Sequence, residues 1–379
     1  MITSHRSAVL LTAVLVVAAA CSSTATSSSA PSPSPVAAAS APSTPTATVA
    51  PTATATPSPS PTPVAVLPGE PWIVYQWIAE SGNGLYLVRP DGSYGHRILE
   101  DVSGDLFHPD WSPDGRQIVF GRQTGDDAAE VWTADADGTN AKQMIGCLQV
   151  PCIRPYAAWS PDGTELAYVR EDPPGVARPG LGSYVEVRNL ATGKTRVVAR
   201  PVPVGDEYVE SGGPRWSPDG KRLVVMVTHW TNPPTDPMLG SSIAVVDADG
   251  SDAATPRILT APDLFGAFPD WSPDGQRIVF STHDLGSFQD TTMAANLYVI
   301  KPDGSGLTQV TDLHENDTRA TQPTWTPDGR QIIFTWVGFD ASRQNTLGER
   351  HIAFIDPDGS NLHVLDWLPA THPRLRPTP

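Results

Sequence analysis

Short apolar runs alternate with polar turn sequences along most of this chain, and they recur in a fixed order. Versions of the decapeptide WSPDGRQIVF begin at five tryptophans, which are Trp111, Trp159, Trp216, Trp271 and Trp325. Each version joins a turn sequence to a short apolar run, and such a run has the length and composition of a β-strand. The tryptophans are 48 to 57 residues apart, which indicates a repeat architecture.

A second apolar run, which ends in a glycine-containing turn, occurs six times. These runs begin at Leu85, Val131, Val185, Ile243, Leu297 and Ile352. Six such runs against five tryptophan motifs indicate that one unit lacks its signature. In the segment VLPGEPWIVY, Val66 aligns with Trp111, so we interpret this segment as a degenerate first copy and the preceding PVAV as its opening strand.

With a third short run closing each unit, every repeat is predicted to carry four strands. Six such units predict an all-β fold, a six-bladed β-propeller of four-stranded antiparallel blades. A stack of parallel coils is the alternative, but these units are longer than the repeats of most solenoids.

The motif W-[ST]-P-D-G-x-x-[IL], with a proline two residues before the tryptophan in four copies, resembles the TolB-type β-propeller repeat. The resemblance covers about residues 64 to 368 and implies the same propeller fold. It does not extend to the N-terminal domain that precedes the propeller in TolB, so it implies no role in the Tol system.

The repeated aspartates raise the question of a ring of ligands or acids; they are Asp114, Asp162, Asp219, Asp274 and Asp328. In a Ser-Pro-Asp-Gly turn, Ser and Asp bond the nearby backbone, Pro presets φ and Gly accepts a positive φ. We therefore interpret all five as turn residues. The D-x-D-G sequences at Asp135 and Asp247 lack the further oxygen ligands of calcium loops, so we predict hairpin turns, no metal and no cofactor.

The N-terminal residues are typical of a targeting segment. Residues 1–20 include an apolar run from Ala8 to Ala20, shorter than the roughly 20 residues that span a bilayer, and we predict a signal peptide. The small residues before Cys21 resemble the lipobox of bacterial lipoproteins, which implies a lipid on Cys21. An ordinary cleavage site beside an incidental cysteine is the alternative.

Residues 21–63 are almost entirely Ser, Thr, Ala and Pro and predict a disordered tether before the propeller of residues 64–379.

These features predict an extracytoplasmic protein that reaches the membrane only through an N-terminal lipid anchor. In an oxidising compartment we expect Cys147 and Cys152 to form a local disulfide, with a metal-binding pair as the alternative. The formal charge of −16 argues against nucleic acid or anionic lipid as partner, because phosphate binding needs a basic surface. We expect a monomer.

Strand alternation places the short turns of every blade on one face and the long, variable connections on the opposite face, which we call the loop face. Function on a rigid scaffold is expected where loops vary, so we predict binding at the loop face and the channel mouth. The candidate binding residues are His108, Tyr156, His229, Trp230, His283, Gln322 and Trp336. Aromatic and amide groups around a concavity suit a polar or sugar-like ligand, or a peptide end.

We therefore expect a binding or scaffold module for a protein or carbohydrate of the cell envelope rather than an enzyme. The alternative is a metal-dependent propeller hydrolase or lactonase with its site at the channel mouth. Enzymes of that kind place several Glu, Asp, Asn or His residues on the inner strands. Here those strands offer His108, Tyr156, Phe268 and Gln322, and the chain contains no G-x-S-x-G sequence of a serine hydrolase.

Overall fold

The chain folds into six antiparallel β-sheets that pack against one another in sequence order. The computed structural model describes residues 66–78, 82–125, 128–146, 156–171, 183–204, 207–230, 238–282, 295–313, 318–338, 349–365 and 370–378. Apolar side chains fill the spaces between neighbouring sheets; for example, Val224 and Ile243 of one sheet pack with Trp271 and Ile278 of the next. The predicted six-bladed β-propeller is confirmed.

Each blade is a run of consecutive strands, except that the last strand of the chain belongs to blade 1. Blade 1 contains β1 (Ile73–Trp77), β2 (Gly84–Val88), β3 (His96–Ile98) and β25 (Ala370–Leu375). Blade 2 contains β4 (Asp105–Trp111), β5 (Gln117–Gly125), β6 (Ala128–Asp135) and β7 (Lys142–Ile145). Blade 3 contains β8 (Ala158–Trp159), β9 (Glu165–Glu171), β10 (Ser183–Asn189) and β11 (Thr195–Ala199).

The second half of the ring begins with a blade of five strands. Blade 4 contains β12 (Val202–Val204), β13 (Glu207–Trp216), β14 (Arg222–Trp230), β15 (Met238–Asp247) and β16 (Arg257–Ile258). A short 3₁₀ helix, Pro262–Leu264, leads to blade 5, which contains β17 (Gly266–Trp271), β18 (Ile278–Thr282), β19 (Leu297–Ile300) and β20 (Thr308–Gln309). Blade 6 contains β21 (Thr318–Trp325), β22 (Ile332–Gly338), β23 (Glu349–Ile355) and β24 (His363–Leu365).

Blade 1 takes its innermost strand from the C-terminal end of the described chain. β25 pairs antiparallel with β1, so that Ile73 lies opposite Leu375 and Trp77 lies opposite Ala370. The interpretation of PVAV as the opening strand was therefore wrong, because β25 occupies the place beside β1. The degenerate turn is present nevertheless, since the Glu70 amide donates to the Leu67 carbonyl at 3.3 Å.

Arg376, directly after β25, fixes this closing strand to its neighbours. Its Nε donates to the Gly115 carbonyl at 2.7 Å, and its side chain also donates to the Leu67 carbonyl at 2.8 Å. Its guanidinium lies 5.4 Å from the centre of the Trp111 ring, and the Trp111 indole donates to the Arg374 carbonyl at 3.0 Å. The last strand therefore joins blade 1 to blade 2 through hydrogen bonds and a cation–π contact.

The repeated tryptophans pack between neighbouring blades. The Trp216 indole donates to the Ala158 carbonyl of blade 3 at 3.2 Å, as Trp111 does to Arg374. Arg222 of blade 4 lies 5.0 Å from the ring centre of Trp271 in blade 5. Each tryptophan thus covers a large apolar area at a joint between blades.

The five Ser/Thr-Pro-Asp-Gly sequences form turns, and their aspartates bond within the turn. Ser217 Oγ donates to Asp219 Oδ1 at 2.6 Å, and the Lys221 amide donates to the same oxygen at 3.1 Å. Gly220 has a φ of +68°, which favours glycine. Hydrogen bonding to Ser217 holds the pKa of the Asp219 carboxyl below its ordinary value. The other four turns have the same side-chain bond.

We expect Asp219→Asn to lower the free energy of unfolding by about 1 kcal/mol at pH 7, because the serine hydroxyl and the turn amide lose a charged acceptor. Since the folded-state pKa of Asp219 is lowered, this stabilisation is complete above the unfolded-state pKa and is lost as the pH falls through the folded-state pKa. Urea unfolding from pH 7 to pH 3 measures the difference. Asp101→Asn, at an exposed site, is the matched control, and an equal loss there would contradict the turn assignment.

The antiparallel order places the turns after the first and third strands of each blade on one face, as predicted, and the other connections on the loop face. Most of the long connections of the loop face lie outside the described residues, namely 172–182, 231–237, 283–294 and 339–348. Cys21, Cys147, Cys152 and the predicted signal peptide and tether also lie outside them. Within the described ranges, no helix is long and apolar enough to cross a membrane.

Candidate functional site

Four inner strands carry a non-glycine residue of positive φ directly before a proline. These residues are His108 (φ 50°), Phe268 (φ 49°), Gln322 (φ 55°) and His372 (φ 53°). In β4, β17 and β21 the strand pairing shifts register next to that residue, as at a β-bulge. Left-handed backbone is costly for residues with a side chain, so its repetition at one level of the propeller makes this level a candidate site.

The side chains at these positions meet at the propeller axis. The rings of His108 and Tyr156 stack with their centres 4.0 Å apart, and His372 lies edge-on to His108 at 4.3 Å. Phe268 lies 5.7 Å from His372 and 6.4 Å from Tyr156. Because these residues come from blades 1, 2, 3 and 5, they can contact one another only where the blades converge. We call them, with Gln322 and Gly213 of the remaining blades, the axial ring.

Gln322 and His372 bring hydrogen-bonding groups to the axial ring. Gln322 Oε1 accepts from Thr335 Oγ1 at 2.9 Å and from the His372 amide at 3.1 Å, which fixes the side-chain amide. Among the described residues, the buried Nε2 of His372 has no hydrogen-bond partner. Burial, together with the nearby His108 and Arg374, lowers the pKa of His372 well below 6.5, so its imidazole is neutral at pH 7.

Four charged side chains lie two residues beyond the axial ring, towards the tryptophans. Asp110 Oδ2 lies 3.1 Å from an Arg215 nitrogen, and Arg374 lies 3.9 Å from both Asp110 and Asp270. The side chains are between 12% and 21% exposed. Asp270 also accepts from the Trp325 amide at 2.9 Å. Two aspartates and two arginines thus form a charge-balanced layer, which we call the axial charge layer.

Burial dominates the pKa values of Asp270 and Arg374 in this layer. It raises the pKa of the Asp270 carboxyl against the opposing effects of Arg374 and Arg215. It also lowers the pKa of Arg374 to about 10, and the like charge of Arg215 acts in the same direction. Desolvation therefore outweighs pairing for both groups, as is common for buried ion pairs. The aspartates of the channel are engaged with arginines and with backbone amides.

The structure brings three of the predicted site residues together, namely His108, Tyr156 and Gln322. His229 is 8% exposed, and its Nε2 lies 3.1 Å from Ser242 Oγ, so its side chain lies inside blade 4. Trp336 is half-buried against Phe334, with ring centres 6.2 Å apart, in the wall of blade 6. The Trp230 side chain and His283 lie outside the part of the chain that the structure describes.

His372, Arg215 and Arg374 are site residues that the motif analysis missed. The signal for His372 is present in the sequence, because THPRL repeats the pattern of FHPDW with leucine in place of tryptophan. That pattern aligns His372 with His108 and Arg374 with Asp110. The tryptophan served as the marker of each unit, and the blade that lacks it was assigned the wrong inner strand.

The side chains of the described residues do not form a recognisable metal site. Among those residues, no cluster of three or more His, Cys, Asp or Glu side chains is arranged to hold an ion. The D-x-D-G sequences form hairpin turns, as predicted: Asp137 Oδ1 accepts from the Thr139 amide at 3.0 Å and Asp249 Oδ1 from the Ser251 amide at 2.8 Å.

Comparison with known proteins gives partial matches, and no family model matches the chain. It is 30% identical over 119 residues to dipeptidyl-peptidase 5 from Porphyromonas endodontalis, which is 31% of this chain and 15% of that protein. It is 37% identical over 70 residues to the Tol-Pal system protein TolB from Albidiferax ferrireducens, which is 18% of this chain and 14% of that protein. The matched segments thus span less than a fifth of the length of these two relatives.

Among solved structures, TolB from Acinetobacter baumannii shares the fold with a TM-score of 0.57 and 15% sequence identity. The match covers 80% of this chain and 66% of that chain. The repeats, the blade topology and this likeness together define the chain as a TolB-like six-bladed β-propeller, as the repeated motif predicts.

Proposed function

We propose that this protein is an extracytoplasmic binding module that holds a protein or glycan partner of the cell envelope at the loop-face end of its central channel. The axial ring is the observation that supports this most directly. It combines stacked rings, a fixed amide and a buried imidazole nitrogen at one level of a rigid scaffold. Such a mixture of apolar walls and a few polar groups is typical of ligand sites.

The sequence of the N-terminal region supports the location of the module. A signal peptide of residues 1–20, a lipid on Cys21 and a Ser/Thr/Ala/Pro-rich tether would hold a monomeric propeller away from the membrane. The tether would then present the propeller to partners in the envelope. The overall negative charge suits partners other than nucleic acid.

The axial charge layer favours binding over hydrolysis as the function of the channel. Asp110 and Asp270, the carboxylates of this layer, lie within 4.0 Å of arginines. A carboxylate that is paired in this way is a poor candidate for a general base or a metal ligand. The axial ring then supplies shape and hydrogen bonds rather than a reactive group.

A metal-dependent hydrolase is the second candidate function, and one observation favours it. The imidazoles of His108 and His372 lie 4.3 Å apart, and histidine is a common ligand of catalytic metals. Two imidazoles do not make up the three protein ligands that catalytic zinc sites usually have. Elemental analysis after incubation with Zn²⁺ or Mn²⁺ and dialysis tests this candidate, and one ion retained per chain would favour it over a binding module.

Site-specific cross-linking tests the proposed binding face. A photoreactive p-benzoylphenylalanine in place of Tyr156 is expected to cross-link the partner in the native envelope, because Tyr156 lines the axial ring. The same group in place of Tyr94 is the matched control, since Tyr94 is 54% exposed in a turn on the opposite face. Cross-linking of one partner from position 156 and not from position 94 supports the proposal. Equal products from both positions contradict it.

A further inference from the structure

We propose that the axial ring is a binding site for the C-terminal carboxylate of a peptide chain, with Gln322 and His372 as hydrogen-bond donors. This inference rests on the proposed binding function and specifies the chemistry of the ligand. It follows from four features of the channel: two hydrogen-bonding groups, the charges around them, a gap in the ring and the arrangement of the aromatic side chains.

The Gln322 amide is held in place before any ligand arrives. Gln322 Oε1 accepts two hydrogen bonds from protein groups, and this directs the roles of the amide: its oxygen is engaged and its nitrogen is the free donor among the described residues. Beside it, His372 Nε2 is buried without a partner in the described part of the chain. A buried polar atom without a partner is costly, and a ligand oxygen that bonds it removes that cost.

The largest charge effects on His372 come from positive groups. Besides burial and His108, its pKa is lowered by Arg374, Arg215 and Arg350. Asp110 and Asp270 lie in the same layer as the arginines, within 4.0 Å of them. Arg215 and Arg374 thus place two cations beside the axial ring, although the protein as a whole carries a charge of −16. An anionic ligand that approaches these arginines more closely than their aspartates is stabilised by them. The same anion favours the forms of His372 that carry a proton on Nε2.

Gly213 opens the ring at the position where the other blades place a side chain. Its φ is +58°, and a Cβ atom built there would meet no atom within 4 Å. Gly213 precedes Arg215 by two residues in β13, and Arg215 belongs to the axial charge layer. A small group can therefore enter the ring at this point and approach the arginines.

The arrangement of the rings favours a chain end over a sugar. One face of Tyr156 is covered by His108 at 4.0 Å, and Phe268 and His108 each lie edge-on to His372. A pyranose usually stacks on an open aromatic face, whereas one face of Tyr156 is already covered by His108. The rings of Tyr156 and Phe268, 6.4 Å apart, offer apolar surface to the last side chain of a peptide.

Calorimetric titration of the full chain with N-acetyl-trialanine and with its C-terminal amide tests the proposal. We expect the free acid to bind more tightly than the amide by about tenfold or more, because only the acid offers charged acceptors to Gln322 and His372. Gln322→Glu retains the oxygen that binds Thr335 and replaces the amide donor by a negative oxygen. We expect this variant to lose the preference for the acid. Gln276→Glu, in an exposed turn, makes the same change of charge and should leave the preference intact.

A second variant keeps the proposal testable if Gln322→Glu does not fold. His372→Phe removes Nε2, and the backbone accepts this residue because Phe268 occupies the equivalent position with nearly the same φ. We expect His372→Phe to bind the acid and the amide with similar affinity.

Three results would overturn the inference. They are equal binding of acid and amide, no binding of either peptide up to about 20 mM, and binding of glucuronate in place of the free-acid peptide. Persistence of the Tyr156 cross-link in any of these cases would show that the proposed binding face stands and that only the ligand chemistry is wrong.

Discussion

Removal of the ten residues from Ala370 onward is expected to abolish the cooperative unfolding of the propeller. Blade 1 would lose its innermost strand, and β1 would expose an unpaired edge at the channel. The loss includes the Arg376 bonds to Gly115 and Leu67 and the contact with Trp111. We expect a cost of more than about 5 kcal/mol, which is comparable with the total stability of many domains.

The shortened chain can be measured by thermal unfolding and by near-ultraviolet circular dichroism, which reports on the packed tryptophans. A chain that lacks only the last two residues is the control, because it keeps β25 and Arg376, and its unfolding should be unchanged. A synthetic peptide of residues 370–378 added to the shortened chain should restore the signal. A shortened chain that unfolds at the temperature of the full chain would contradict the closing role of β25.

The repeats were sufficient to predict the fold, because each blade repeats the same local signals. Five tryptophans and six second strands predicted six blades, and the Ser-Pro-Asp-Gly turns took the predicted form. The error concerned the one inner strand without a tryptophan. Leu375 occupies the position of Trp111, and its partner in the sheet, Ile73, lies about 300 residues away in the chain. Pairing over such a distance is not visible in a pattern that repeats about every 50 residues.

The site was less predictable than the fold, since it depends on contacts across the axis. Their place at the starts of the innermost strands indicated His108, Tyr156 and Gln322. The pairing of Arg215 with Asp110 joins blade 4 to blade 2. Blade 3, which follows blade 2 in the chain, has the uncharged Ala158 at the position equivalent to Asp110. The repeat relates equivalent positions of the blades, and it does not indicate which charges of different blades meet.

His229 was predicted to lie on the loop face, and the structure buries its side chain instead. β14 and β15 are long strands, and pairing continues to His229 opposite Gly240. The extended hairpin carries His229 inside the sheet, where Ser242 is its neighbour. Strand length depends on the partner strand, and the local sequence of β14 did not indicate where the pairing ends.

Arg374→Met is expected to lower the free energy of unfolding by about 3 to 5 kcal/mol, because it leaves two buried aspartates with one arginine. Arg374 lies 3.9 Å from Asp110 and from Asp270, so both lose a partner. Urea unfolding at pH 7 measures the loss. Arg116→Met is the matched control, since Arg116 is 78% exposed beside Asp114 and should cost less than about 0.5 kcal/mol.

Neutralising Asp270 in the same chain separates lost charge balance from lost packing. In the double variant Arg374→Met, Asp270→Asn, the layer keeps the charges of Asp110 and Arg215, which pair at 3.1 Å. The side-chain oxygen at position 270 can still accept a hydrogen bond from the Trp325 amide. Burial already raises the pKa of Asp270 and lowers that of Arg374 to about 10, so both charges are costly in the native state. We therefore expect the double variant to recover more than half of the loss. If the loss in the double variant equals the sum of the losses in the two single variants, Arg374 and Asp270 act independently, because coupled residues give non-additive losses.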